Sequence, residues 1–173
     1  MMFHVKLING SRVLKGVAIL SLLLMILQGC IGARATTQIP DYLLVPNGME
    51  KVGGVPLTGF IFENNVKATL PIEQFIAKKY NSANYFEREI WITIDKNKYK
   101  LIVYDASDFE KYFNSANFSP MTEEAKDDRN STRKFLAISM ITDYNEDCLA
   151  ENALLQNRCV NYLRDLKNEY INQ

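Results

Sequence analysis

Three groups of residues in this chain have the types and spacing that chemistry uses. Glu87, Glu89, Asp105, Asp108 and Glu110 lie close together in sequence, and a pair of carboxylates can serve as acid and base on a glycosidic bond if their separation is right. Asp143-x-Asn145-x-Asp147 opens like a calcium loop, with oxygen ligands at alternate positions. It then departs from that pattern, because Cys148 stands where the sharp turn needs Gly and Leu154 where a bidentate Glu closes the site. The third group is the thiol pair Cys148 and Cys159. Eleven helical steps span about 16 Å, whereas bridged Cα atoms lie within about 7 Å. A disulfide between them therefore requires a bend, which we place near Asn152 or Gln156-Asn157. The spacing is not Cys-x-x-Cys, so we read the bridge as structural rather than as a redox catalyst.

What the chain lacks narrows the chemistry further. Its one histidine is His4, and imidazole is the usual base near neutral pH and the commonest ligand in transition-metal sites. No Gly-rich phosphate loop and no Gly-x-Ser-x-Gly elbow is present. We expect no cofactor, no metal and no catalytic residue, with the carboxylates solvated at hairpin ends and Asp147 capping a helix.

The N-terminal segment has three parts in order: a basic stretch with Lys6, Arg12 and Lys15, an apolar run from Val17 to Leu27, and Leu27-Gln28-Gly29-Cys30. The apolar run falls short of the ~20 residues of a spanning helix and has the length of a signal-peptide core. Leu27 to Cys30 resembles the lipobox of bacterial lipoproteins, although Gln28 stands where that pattern has a smaller residue. The resemblance covers residues 1 to 30 only. It implies cleavage before Cys30, acylation of Cys30, and a membrane attachment made stable by more than one acyl chain. Ile31 replaces the Asp that resembles an inner-membrane retention signal, which favours an outer-membrane protein facing the periplasm. Two other readings stay open: Ala33-Arg34-Ala35 as an ordinary cleavage site releasing a soluble protein, and the apolar run as a retained anchor.

Cleavage before Cys30 removes three of 20 basic residues, no acidic residue and the only histidine, leaving 17 basic against 20 acidic residues. A chain of that balance without a basic patch is a poor match for nucleic acid. An exported protein also meets an oxidising compartment in which Cys148 and Cys159 are expected to bridge. Residues 30–56, rich in Pro and Gly, read as a tether and irregular lead-in in which Tyr42-Leu43-Leu44-Val45 forms an edge strand or a docking patch. Residues 57–173 read as one domain.

Within that domain, Gly59 to Phe62 reads as a strand, Asn64-Asn65 as a turn and Val66 to Ala68 as a short return. Ile72, Phe75, Ile76 and Tyr80 recur at helical spacing behind Thr69 or Leu70 as cap and Pro71 in the first turn. Ile90, Ile92 and Ile94, then Tyr99, Leu101 and Val103, alternate around Asp95-Lys96-Asn97-Lys98 and predict a β-hairpin. Ser107 and Glu110 have capping-box spacing ahead of a helix to about Ala116. Residues 117–133 read as a solvated loop with a helical turn starting at Pro120, Lys134 to Thr142 as a buried strand, and the C-terminal region to about Tyr170 as helical.

The pattern predicts an α+β fold: a mostly antiparallel sheet with helices on one face, of ferredoxin-like β-α-β-β-α-β order plus a C-terminal helix. Aromatic residues are densest around Tyr80, Tyr85, Phe86 and Trp91. Tyr85, Phe86 and the outward face at Trp91 are the expected recognition surface, since Tyr and Trp join a large apolar body to a polar edge. The whole reads as a lipid-anchored cell-envelope protein whose domain binds another protein without enzymatic activity. A small carboxylate-dependent hydrolase of envelope polymers, or a binder of small ligands or lipid in an apolar cavity, is the alternative.

Overall fold

In the computed structural model, the residues described are 35–50, 54–64, 68–121 and 133–173. The signal segment and Cys30 lie outside them. Thr36–Gln173 makes one compact unit. Its centre is strand β7 (Phe135–Thr142), which is apolar at both parities: Leu136, Ile138 and Met140 point to one face and Phe135, Ala137 and Ile141 to the other, all buried. A strand of that composition is stable only between two neighbours and two covered faces. It pairs antiparallel with β3 (Gly59–Glu63) on one side and β5 (Asn97–Val103) on the other. Beyond β3 lies the short edge strand β2 (Leu43–Val45), and beyond β5 lies β4 (Glu89–Ile94), giving the order β2-β3-β7-β5-β4.

The fold is α+β with an antiparallel main sheet, but its strand order is not ferredoxin-like. That arrangement would pair β3 with β5, and here β7 stands between them. The helices also occupy two faces. Helix α1 (Ile72–Lys79) and helix α3 (Gln156–Ile171) cover the face carrying Phe60, Phe62, Leu101, Ile138 and Met140. Helix α2 (Ala106–Tyr112) packs Phe109, with Phe113 just beyond it, against Ile61, Phe135 and Ala137 on the opposite face. The cause is the apolar outward parity of β3 and β7, which has to be covered as fully as the inward one.

Several local boundaries also differ from those expected. The cap of α2 is Asp105, which accepts from the Asp108 amide, two residues before Ser107. The helix ends at Tyr112, and Asn114 at φ 57° redirects the chain into a short 3₁₀ turn, Ser115–Asn117. Pro71 is itself the cap position of α1, without a side-chain bond from Thr69. The hairpin turn is the two-residue Asp95-Lys96, at φ 48° and 70°, a geometry whose twist matches the flanking strands. Asn65 of the expected turn, residues 66–67 of the expected return strand and residues 122–132 of the expected loop lie outside the described residues; Phe118–Ser119, in that loop's expected range, is strand β6.

Residues 36–50 belong to the fold rather than to a tether. Strand β1 (Thr37–Gln38) pairs in parallel with β6, and Ile39 is buried beside Phe118. Tyr42 stacks on Phe60 with ring centroids 4.6 Å apart, and Asp41 is paired with Lys167 and Arg164 of α3. Leu43 to Val45 is thus an edge strand serving its own domain. A chain of bonds then ties the outer layer together: the Met49 amide donates to Tyr104 Oη (3.0 Å), Tyr104 shares a hydrogen bond with Ser139 Oγ (2.9 Å), and Ser139 donates to the Thr58 carbonyl (2.8 Å). Gly48 is required beside that chain, since a Cβ there would lie 2.5 Å from Tyr104 Oη.

Candidate functional site

The hairpin of β4 and β5 is covered on one face and left open on the other at Trp91. Alternation along β4 sends Ile90 and Ile92 into the helix-covered core and Glu89, Trp91 and Thr93 to the other face. Over that face the covering layer reaches as far as Leu57, which packs on Ile102 and Ile141. Trp91 lies beyond it, 50% exposed. Its ring is held by Lys100 from the facing position of β5, with Nζ 4.8 Å from the ring centroid, and Lys100 also pairs with Glu89 at 3.1 Å. Such a contact orients an indole without burying it.

Residues 81–88, which lead into β4, carry two more exposed aromatics. Asn81 at φ 52° closes α1, and the Ser82 amide bonds back to the Ala77 carbonyl (2.9 Å). Asn84 Oδ1 then accepts from the Phe86 amide (3.0 Å), while Ser82 Oγ donates to Glu87 (2.6 Å). These short-range bonds shape a turn that displays Tyr85 and Phe86, 55% and 79% exposed. The three expected recognition residues are therefore all on the surface, in the turn and strand that form one border of the sheet. Along that border β4 pairs with β5 alone. In a two-residue hairpin the pair Ile94 and Asn97 exchanges ladder bonds, so alternation directs the backbone groups of Trp91 and Thr93 to the open side.

The acidic cluster is differently employed. Arg88 pairs with both Asp105 and Asp108, the latter at 2.7 Å. Glu89 pairs with Lys100, Glu87 accepts from Ser82, and Glu110 accepts from the Ser115 amide at 3.1 Å. A groove of about 250 Å³ runs between them, lined by Met49, Glu87, Arg88, Glu89, Ile102, Val103 and Asp108. Of its carboxylates, Glu87 is engaged by Ser82, Glu89 by Lys100 and Asp108 by Arg88, the last pair joining the start of the hairpin to α2.

Asp147 does not cap a helix. One carboxylate oxygen accepts from the Leu149 amide and the other from the Thr58 amide, both at 2.8 Å, joining the turn before α3 to the entry of β3. Among the described residues no cluster of three or more His, Cys, Asp or Glu side chains could hold a metal ion.

Cys148 and Cys159 are brought together as free, buried thiols. The bend between them exists: turns run through Cys148–Leu155, and α3 begins at Gln156. The expected disulfide is absent from the structure, while the bend it requires is present. Each thiol is the strongest influence on the other. A hydrogen bond to Cys159, with burial next, pushes the Cys148 thiol well above its ordinary range, and that same bond, aided by Arg158, lowers Cys159. Cys159 is the more acidic of the two. Close to both lies Tyr99, 1% exposed, whose hydroxyl makes no hydrogen bond of regular geometry. Burial raises its pKa.

No protein-family model matches the chain, and neither the curated proteins nor the solved structures include a match to it. Among the described residues no helix is long and apolar enough to cross a membrane. Sequence reasoning missed the parallel β1–β6 pair, whose two-residue strands carry no periodicity, and the Tyr99 hydroxyl beside the thiols. The open edge at β4 had a signal, the polar parity Glu89, Trp91 and Thr93.

Proposed function

We propose that this protein is a lipid-anchored component of the cell envelope whose domain binds another protein through the open β4 border carrying Tyr85, Phe86 and Trp91. The observation that carries this reading is the exposure of those three aromatic side chains beside a strand edge. Edge strands attract added strands unless they are blunted, and extended segments of partner proteins use such edges, with main-chain bonds giving affinity and side chains giving selectivity. Tyr, Trp and Phe are the side chains enriched where interfaces form. In this reading the acyl groups on Cys30 hold the domain at the membrane, on the periplasmic side of the outer membrane, and the domain performs no chemistry of its own.

The second reading, a carboxylate-dependent hydrolase, is favoured by the groove lined with Glu87, Glu89 and Asp108. Against it stands the Arg88 clamp, which engages Asp108 together with Asp105.

The test is crosslinking in the native host with tagged full-length protein, compared with Cys30→Ser and with the double variant Phe86→Ser, Trp91→Ala. The binding reading expects one partner in near-equal amount, lost from both variants. A partner retained by the double variant places the interface elsewhere, and no enriched partner, together with loss of polymer cleavage in Asp108→Asn, transfers the case to the hydrolase.

A further inference from the structure

Cys148 sits in the turn anchored by its amide to the Met140 carbonyl (2.9 Å), and Cys159 sits in the first turn of α3, its amide on the Leu155 carbonyl (3.0 Å). Both are 2% exposed or less, and both belong to the core under α3. The two thiols share one core and interact with each other from two separately anchored elements, so a bond between them joins the turn to α3. We propose that Cys148 and Cys159 are a reversible dithiol–disulfide pair, a covalent staple between the turn and α3 that the domain carries in either state.

The oxidant is a disulfide of a small thiol or of a protein. The Cys159 thiolate attacks one sulfur of that disulfide, whose S–S bond breaks and whose other half leaves as a thiolate. Cys148, after giving up its proton to that leaving group or to water, attacks the Cys159 sulfur of the mixed disulfide and expels the second half. Two electrons pass from the protein to the co-reactant, one S–S bond is lost and one gained, and two thiols are released. Burial means that this exchange occurs when the turn 148–155 opens or before it closes during folding, which makes the folded dithiol slow to react and the folded disulfide slow to be reduced. Once formed, the bond closes a short loop, and constraint of the unfolded chain lowers the unfolded fraction about a hundredfold.

The test uses the full chain carrying Cys30→Ser, so that no third thiol competes. The protein is equilibrated from a mildly denatured state with defined ratios of reduced and oxidised glutathione, then trapped, alkylated under denaturing conditions and mapped by mass spectrometry. The expected result is a two-hydrogen mass loss, a Cys148–Cys159 linked peptide, and recovery of both thiols on return to reducing buffer. The bridged form should melt about 5–10 °C above the reduced form, and Cys148→Ala should show no dependence of melting on redox buffer. Two alkylatable thiols in excess oxidised glutathione, or stable mixed disulfides at both positions, overturn the proposal. A bridge that leaves the melting temperature unchanged overturns the staple. Because no lipid or partner enters the assay, its failure leaves the binding reading untouched, and loss of that reading leaves this result standing.

Discussion

The two faces of the main sheet are built from the same strands and finished differently. On one face, α1 and α3 cover all four long strands, and Phe60, Leu101, Ile138 and Met140 are fully buried. On the other, α2 and the lead-in cover β3 and β7 while the outer half of the β4–β5 hairpin remains bare at Trp91. The first face stabilises the domain, and the second stabilises it at β3, β7 and Ile102 of β5 and leaves Trp91 available. A sheet can thus carry a core and a recognition surface on strands that are shared, because side chains alternate between faces.

The largest expected effect tests the covered face. Leu101→Ala should destabilise the domain by about 2–5 kcal/mol, through lost burial and the cavity it leaves, measured by the urea midpoint. A cost below about 1 kcal/mol would mean that the two faces are not as unlike as described. Gly59→Ala probes the half-covered face from inside: its Cβ would lie 2.5 Å from Phe113 Cζ, and overpacking should cost about 1–3 kcal/mol. Unchanged stability would show that α2 is only loosely seated.

A pH series separates the faces by titration. Burial raises the Tyr170 phenol, on the helix-covered side, to about 12. The folded state therefore holds its proton where the unfolded chain has lost it. Its contribution is fully present below pH 10 and declines between pH 10 and about 12, by about 1.4 kcal/mol per unit. Tyr170→Phe should flatten that decline in urea midpoints taken across the window, and an equally steep variant would assign the effect to other groups. The smallest stability effect belongs to the open end. Trp91→Ala should shift the midpoint by no more than about 0.5 kcal/mol, the scale of an exposed cation–π contact, while abolishing partner crosslinking. A large loss of stability would make Trp91 a core residue.

The sequence made the individual elements legible where one periodicity dominated. The β4–β5 hairpin, α1 and α3 follow from runs of Ile, Leu and Phe at spacings of two or of three to four. Tyr85, Phe86 and Trp91 were readable as surface candidates because Trp91 falls on the polar parity of its strand. Strand order was not readable in the same way, although the doubly apolar run Phe135–Ile141 held the clue that β7 is central. The cap at Asp105, two residues ahead of Ser107, shows a second limit, since two side chains with capping chemistry lie within one helical turn and local spacing does not choose between them.

By itself the sequence determined the α+β class, the hairpin, the bend required between Cys148 and Cys159, and which side chains of β4 would turn outward, because these depend on local periodicity and chain length. Tertiary structure alone decided that β7 separates β3 from β5, that α2 lies opposite α1 and α3, that residues 36–50 join the domain, and that the two thiols meet beside Tyr99. Those outcomes depend on which apolar surfaces find one another across long stretches of chain, and that choice is made by burial over the whole molecule rather than by any short run of residues.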